Sequence, residues 1–81
     1  MQAQANTATI SLPVLQLGAS GEAVRLMQKL LIVLGNKITF DAQFGPNTKT
    51  AVVAFQKSKS LTADGIVGQA TWRALTDAIK A

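Results

Sequence analysis

The 81-residue chain contains no cysteine and no histidine. Without them, disulfides, thiolate or imidazole metal sites and the usual nucleophile–base pairs cannot be built. No metal and no cofactor is therefore expected. Acids are also few. Glu22, Asp41, Asp64 and Asp77 stand against eight lysines and arginines, for a net charge of +4. A pair of carboxylates can hydrolyse glycosides. Four scattered acids do not favour that chemistry, and so short a chain has little material to wall a deep cleft. No catalytic residue is nominated, and the chain reads as a non-enzyme. Long apolar runs are missing too, so no transmembrane span is expected. Met1 to Ser11 has neither a basic start nor an apolar stretch, and no signal peptide is visible in it.

What remains is the composition of one small domain, 48% hydrophobic, held by packing alone. Residues 1–11 are small and polar and read as a flexible N-terminal tail. Residues 12–81 read as the folded domain. The positive charge suits an anionic partner. The basic residues are spread over all the predicted helices, however, and form no recognition-helix cluster, which argues against nucleic acid.

Three helices are predicted. Pro13 to Leu17 is an apolar lead-in, and Gly18 and Gly21 bracket a turn. The first helix is expected to start near Ser20 as N-cap, with Glu22 in its first turn, and to stop at Gly35. Val24, Leu26, Met27, Leu30, Leu31 and Leu34 are assigned to its inner face, and Glu22, Arg25, Gln28 and Lys29 to the outer one. Ile32 falls on the polar side and is expected to be exposed. Gly45-Pro46 opens the second helix, since proline suits the first helical position. Ala51, Val52 and Phe55 face inward there, while Val53, flanked by Lys49 and Lys57, is expected to be exposed. Gly68 opens the third helix, with Ala74, Leu75, Ala78 and Ile79 inside. Trp72, at the edge of that stripe, is expected to be half buried.

The most informative pattern is a match at a 23-residue offset. Asp41, Gly45, Thr48 and Ala51 recur as Asp64, Gly68, Thr71 and Ala74, Phe44 pairs with Val67, and Val52 with Leu75. Each position has a physical use. The Asp can hydrogen-bond the backbone of a turn. The apolar residue plugs the loop into the core, Gly permits a tight turn, and Thr at the third helical position can reach back toward the cap. The fold class expected is all-α, a compact three-helix bundle with two Asp-x-x-apolar-Gly turn-helix units. A calcium loop is not among the options, because the alternating ligands and closing Glu are missing.

These residues resemble the peptidoglycan-binding domain of bacterial and phage wall enzymes. That family shows three ordered blocks. Their counterparts are Gly18, Gly21, Val24, Met27 and Gln28; then Asp41, Phe44, Gly45, Thr48, Ala51, Val52, Phe55 and Gln56; then Asp64 to Gly68, Thr71, Trp72 and Leu75. The match covers roughly residues 15–79. Met27 departs from the usual Leu, Ser60 from a frequent Gly, and Ala42 from the usual Gly, which puts the shape of the first loop in question. The resemblance implies a three-helix, non-catalytic module that attaches to peptidoglycan in the cell envelope or outside the cell, beside a partner or fused wall hydrolase.

Peptidoglycan offers sugar faces, amides and stem-peptide carboxylates. Candidate ligand-binding residues are Gln43, Phe44, Asn47, Gln56, Trp72 and Arg73. Gln43 and Asn47 lie by the N-terminus of the second helix, where free N–H groups attract carboxylates. Trp72 and Phe44 suit sugar stacking or core filling, and the scarcity of aromatics favours the core. Gln28 and Gln56 suit a role in satisfying buried loop backbone. Ile32 and Val53 are the candidate partner-protein surface. A protein-interaction module on the same fold is the alternative function.

Overall fold

Glycine and proline set where the helices begin. A computed structural model of the chain describes residues 12–79. The expected tail, residues 1–11, lies outside them. The architecture is all-α: α1 (Glu22–Val33), α2 (Pro46–Ser58) and α3 (Gln69–Ala78). Gly21, Gly45 and Gly68 are the N-caps, and Pro46 is the first residue of α2. The cap of α1 is one residue later than expected. The Ser20 backbone is occupied in an antiparallel bridge with Gln43, so the chain turns at Gly21. Its φ of 109° is open to glycine and costly for other residues.

Gly35 ends α1 as foreseen. Its N–H donates to the Ile32 carbonyl at 2.9 Å, and that of Asn36 to Leu31 at 3.0 Å, the paired bonds that close a helix around a left-handed residue. Ser60, at φ 58°, closes α2 in the same way, with Ser60 N–H on Lys57 and Leu61 N–H on Gln56.

The core draws on every segment. Val24, Met27 and Leu31 come from α1, Ala51, Val52 and Phe55 from α2, and Trp72 and Leu75 from α3. Leu15, Phe44 and Val67 enter from the loops. Phe44 and Val67 are the predicted plugs. Burying a side chain of this size is worth about 1.5–3 kcal/mol, which matters in a domain without covalent cross-links. The lead-in segment ties the loops together. Leu15 and Val67 exchange backbone hydrogen bonds of 3.1 and 2.8 Å, while Gly18 N–H donates to Phe44 and Phe44 N–H to Ala19.

Several side chains sit elsewhere than expected. Leu26 is 45% exposed and Gln28 is fully buried. At about 100° per residue, Leu26 lies about 200° round from Val24, and Gln28 only about 40°. Ile32, close to Gln28 on that wheel, is therefore half-buried, and so is Val53 beside the buried Gln56. Trp72 is 1% exposed, because residues 12–15 cross over it. Its indole N–H donates to the Pro13 carbonyl at 2.7 Å.

Candidate functional site

Two loops of matching geometry carry the polar chemistry. In loop 1, between α1 and α2, the buried Gln28 amide is the hub. Its Nε2 donates to Asp41 Oδ1 (3.1 Å), the Gln43 carbonyl (2.9 Å) and Thr48 Oγ1 (3.2 Å), two hydrogens shared among three acceptors. Its Oε1 accepts the N–H groups of Asp41 (3.2 Å) and Ala42 (2.9 Å). In loop 2, between α2 and α3, Gln56 does the same. Nε2 donates to Asp64 Oδ1 (3.2 Å), the Ile66 carbonyl (2.9 Å) and Thr71 Oγ1 (3.1 Å), and Oε1 accepts the Gly65 N–H (3.0 Å).

Each Asp also closes a turn. Asp41 Oδ1 accepts the Gln43 N–H and Asp64 Oδ1 the Ile66 N–H, both at 2.9 Å. The N–H of Gln43, followed by the Gln28 amide, holds the Asp41 carboxyl below its ordinary value, against a small opposing effect of burial. The two threonines do not reach back to the caps as expected. Their hydroxyls accept from the glutamines instead. Ala42 does not alter the first turn: its φ of 63° reproduces the 73° of Gly65.

A surface groove lies over each loop. The larger, about 420 Å³, runs over loop 2 between the end of α2 and the start of α3. Ser60, Leu61, Thr62, Asp64, Ile66, Gln69 and Ala70 form its walls, with the buried Gln56 and Thr71 beneath. A smaller one of about 180 Å³ covers loop 1, lined by Thr39, Asp41, Gln43, Gly45, Pro46, Asn47 and Thr48. The residue 23 positions after each of these lines the loop 2 groove. The chemistry differs at three places: Gln43 becomes Ile66, Pro46 becomes Gln69 and Asn47 becomes Ala70.

The candidate ligand residues are thus divided among three surfaces and the core. Gln43 and Asn47 share the loop 1 groove. Gln56 is beneath the loop 2 groove, buried and engaged by its own loop. Arg73 is exposed and borders, with Trp72, Leu12, Gln69 and Thr76, a separate recess of about 190 Å³. Phe44 is a core residue, 2% exposed. Ile32 and Val53 are half-buried rather than exposed. Sequence reasoning missed Leu61, Thr62, Ile66, Gln69 and Ala70. A signal was present, since moving Thr39, Gln43 and Asn47 along by 23 residues gives Thr62, Ile66 and Ala70.

Comparison with known proteins follows this geometry. Residues 20–75 match the sequence profile of a family described as "Putative peptidoglycan binding domain". The zinc D-Ala-D-Ala carboxypeptidase of Streptomyces albus G is 48% identical over 58 residues, 68% of this chain and 23% of that protein. An N-acetylmuramoyl-L-alanine amidase, CwlL, of Bacillus licheniformis is 40% identical over 77 residues, 91% of this chain and 20% of that one. The chain therefore spans about a fifth of the length of these relatives. Among solved structures, the SleB N-terminal domain superposes with a TM-score of 0.83 at 37% identity, covering 89% of this chain and all of that one. A peptidoglycan-binding protein from Clostridioides difficile gives a TM-score of 0.78 at 45% identity, covering 79% of this chain and 40% of that one.

Proposed function

The chain belongs to the peptidoglycan-binding domain family, and from that premise we propose that it is a non-catalytic module that attaches to peptidoglycan and brings a partner or fused hydrolase to the bacterial wall. Its place of action is then the cell envelope or the extracellular space. The non-catalytic reading is supported by the commitment of the two loop acids: Asp41 and Asp64 each spend one oxygen on a buried glutamine and a turn N–H.

The observation that carries the binding mode is the groove over loop 2. Leu61, Ile66 and Ala70 give it apolar walls of a size that suits the methyl groups of alanine-rich stem peptides. Thr62, Ser60 and Gln69 supply hydroxyl and amide partners for peptide groups. The first turn of α3 lines the same groove, and the unpaired N–H groups of a helix start favour a stem-peptide carboxylate. Loop 2 is held from below by Gln56, so the surface is preformed, which lowers the ordering cost of binding.

Co-sedimentation with purified sacculi tests the reading. The chain is expected in the pellet at neutral pH and low salt. Ile66→Asp, which puts a carboxylate in the groove wall, is expected to release it while leaving the helical circular dichroism unchanged. Failure of the unaltered chain to co-sediment would overturn the function, and undiminished binding of Ile66→Asp would overturn the placement.

A further inference from the structure

We propose that the loop 1 groove, together with the recess beside it on α2, is a second ligand site, chemically distinct from the loop 2 groove, that takes the N-acetylated amino-sugar unit of a glycan. The proposal rests on the wall-binding reading, because the glycan strand of the same polymer supplies that unit.

The first observation is adjacency. A recess of about 310 Å³ lies where the α1–α2 connection meets α2, and Asn47 lines both it and the 180 Å³ loop 1 groove. Small-ligand sites run to about 300–1,000 Å³. The recess reaches the lower end of that range, and the loop 1 groove adjoins it at Asn47.

The second observation is chemical. Gln43 and Asn47 are both exposed. The hydrogen bonds that hold Gln43 in loop 1 run through its backbone, to the Gln28 amide and from its own N–H to Asp41. Its side chain is not needed for the loop. A carboxamide presents one carbonyl acceptor and two N–H donors, which complement the N–H and carbonyl of an acetamido group. Ile38, Ala51 and Ala54 give the adjoining recess an apolar floor for the acetamido methyl. The charged residues that line it are two: Lys37, and Asp41, whose Oδ1 is already engaged twice. Gln43 and Asn47 are uncharged and offer donors and acceptors together, which suits a neutral amide ligand.

The third is the contrast with loop 2. Where this groove has Gln43 and Asn47, the other has Ile66 and Ala70 on the same backbone frame. The matched positions thus carry carboxamides in one groove and aliphatic side chains in the other, so the two are fitted to different parts of one polymer.

Titration of the ¹⁵N-labelled chain with a soluble β-1,4-linked tetramer of N-acetylglucosamine tests this. The backbone amides of Gln43, Asn47 and Thr50 and the side-chain amides of Gln43 and Asn47 are expected to shift, and those of Ile66 and Gln69 to stay. The pair Gln43→Ala and Asn47→Ala is expected to weaken the interaction about tenfold, the loss of one to two hydrogen bonds. The rest of that variant's spectrum is expected to be unchanged, which shows that it folds. No shifts at saturating tetramer, shifts confined to loop 2, or full binding by the double variant would each overturn the second site. A parallel titration with a soluble stem peptide reads loop 2 separately, so loss of one site leaves the other judged on its own result.

Discussion

Gln28 and Gln56 occupy the same position in two matching cages, each giving its amide nitrogen to an Asp oxygen, a loop carbonyl and a Thr hydroxyl. Both are buried, so each amide replaces water for a loop that turns its backbone inward. Gln28→Leu fills the volume but strands the N–H groups of Asp41 and Ala42. A buried polar group left unpaired costs about 1–3 kcal/mol. Each of Gln28→Leu and Gln56→Leu is therefore expected to lower unfolding stability by about 3 kcal/mol in urea titration. A loss below 1 kcal/mol would mean that the loops hold without their amides.

Ala42 and Gly65 share one backbone conformation with opposite consequences. Ala42, at φ 63°, carries the steric cost of an L-residue in the left-handed region, about 1 kcal/mol. Ala42→Gly relieves it, partly offset by the freedom glycine gains in the unfolded chain. A gain of about 0.5 kcal/mol is expected. Gly65→Ala adds the same strain, and its Cβ would sit 2.9 Å from Lys49 Cε. It is expected to destabilise, and thermal melting of the two variants should move in opposite directions.

The acid limb of stability should carry the signature of Asp41. Its carboxyl titrates below the ordinary 3.8 in the folded chain, chiefly because of the Gln43 N–H and next because of Gln28. The folded value is depressed, so the charged form contributes stability above 3.8, and that contribution is lost as pH falls through the folded value. Asp41→Asn keeps an acceptor oxygen without the charge. The stability gap between it and the unaltered chain is expected to be largest near neutrality and to close below pH 3.8. A gap that widens on acidification would contradict the assignment.

Helix starts and stops were legible because they are local. Gly45-Pro46, Gly68 and Gly35 act through backbone geometry within a few residues. The plugs Phe44 and Val67 were legible because they recur in the same place before a glycine. The role of Gln28 in satisfying buried loop backbone was legible, while its place on the outer face was wrong because a polar side chain on an amphipathic helix looks like a solvent-facing one. Its burial depends on a loop 13 residues away that needs its amide. Trp72 was misread for the same kind of reason at longer range, since its cover comes from a residue 59 positions earlier. The loop 2 groove went unseen because its walls are ordinary side chains, meaningful only once α2 and α3 bring them together.

That cover decides what Trp72 does. Its ring is 1% exposed, its indole N–H is held at 2.7 Å by Pro13, and Gln69 Nε2 pins the neighbouring Leu12 carbonyl at 2.8 Å. A ring so enclosed has no face for a sugar. Adding a soluble peptidoglycan fragment is therefore expected to leave its emission wavelength and its resistance to acrylamide quenching unchanged. Trp72→Phe loses the hydrogen bond and leaves a void, and is expected to cost about 2 kcal/mol in urea unfolding. The folded variant should still co-sediment with sacculi, whereas Ile66→Asp should not. If Trp72→Phe folded but lost the wall, or if ligand shifted and quenched the Trp72 emission, the ring would have to be a contact residue and the cover over it would have to open on binding.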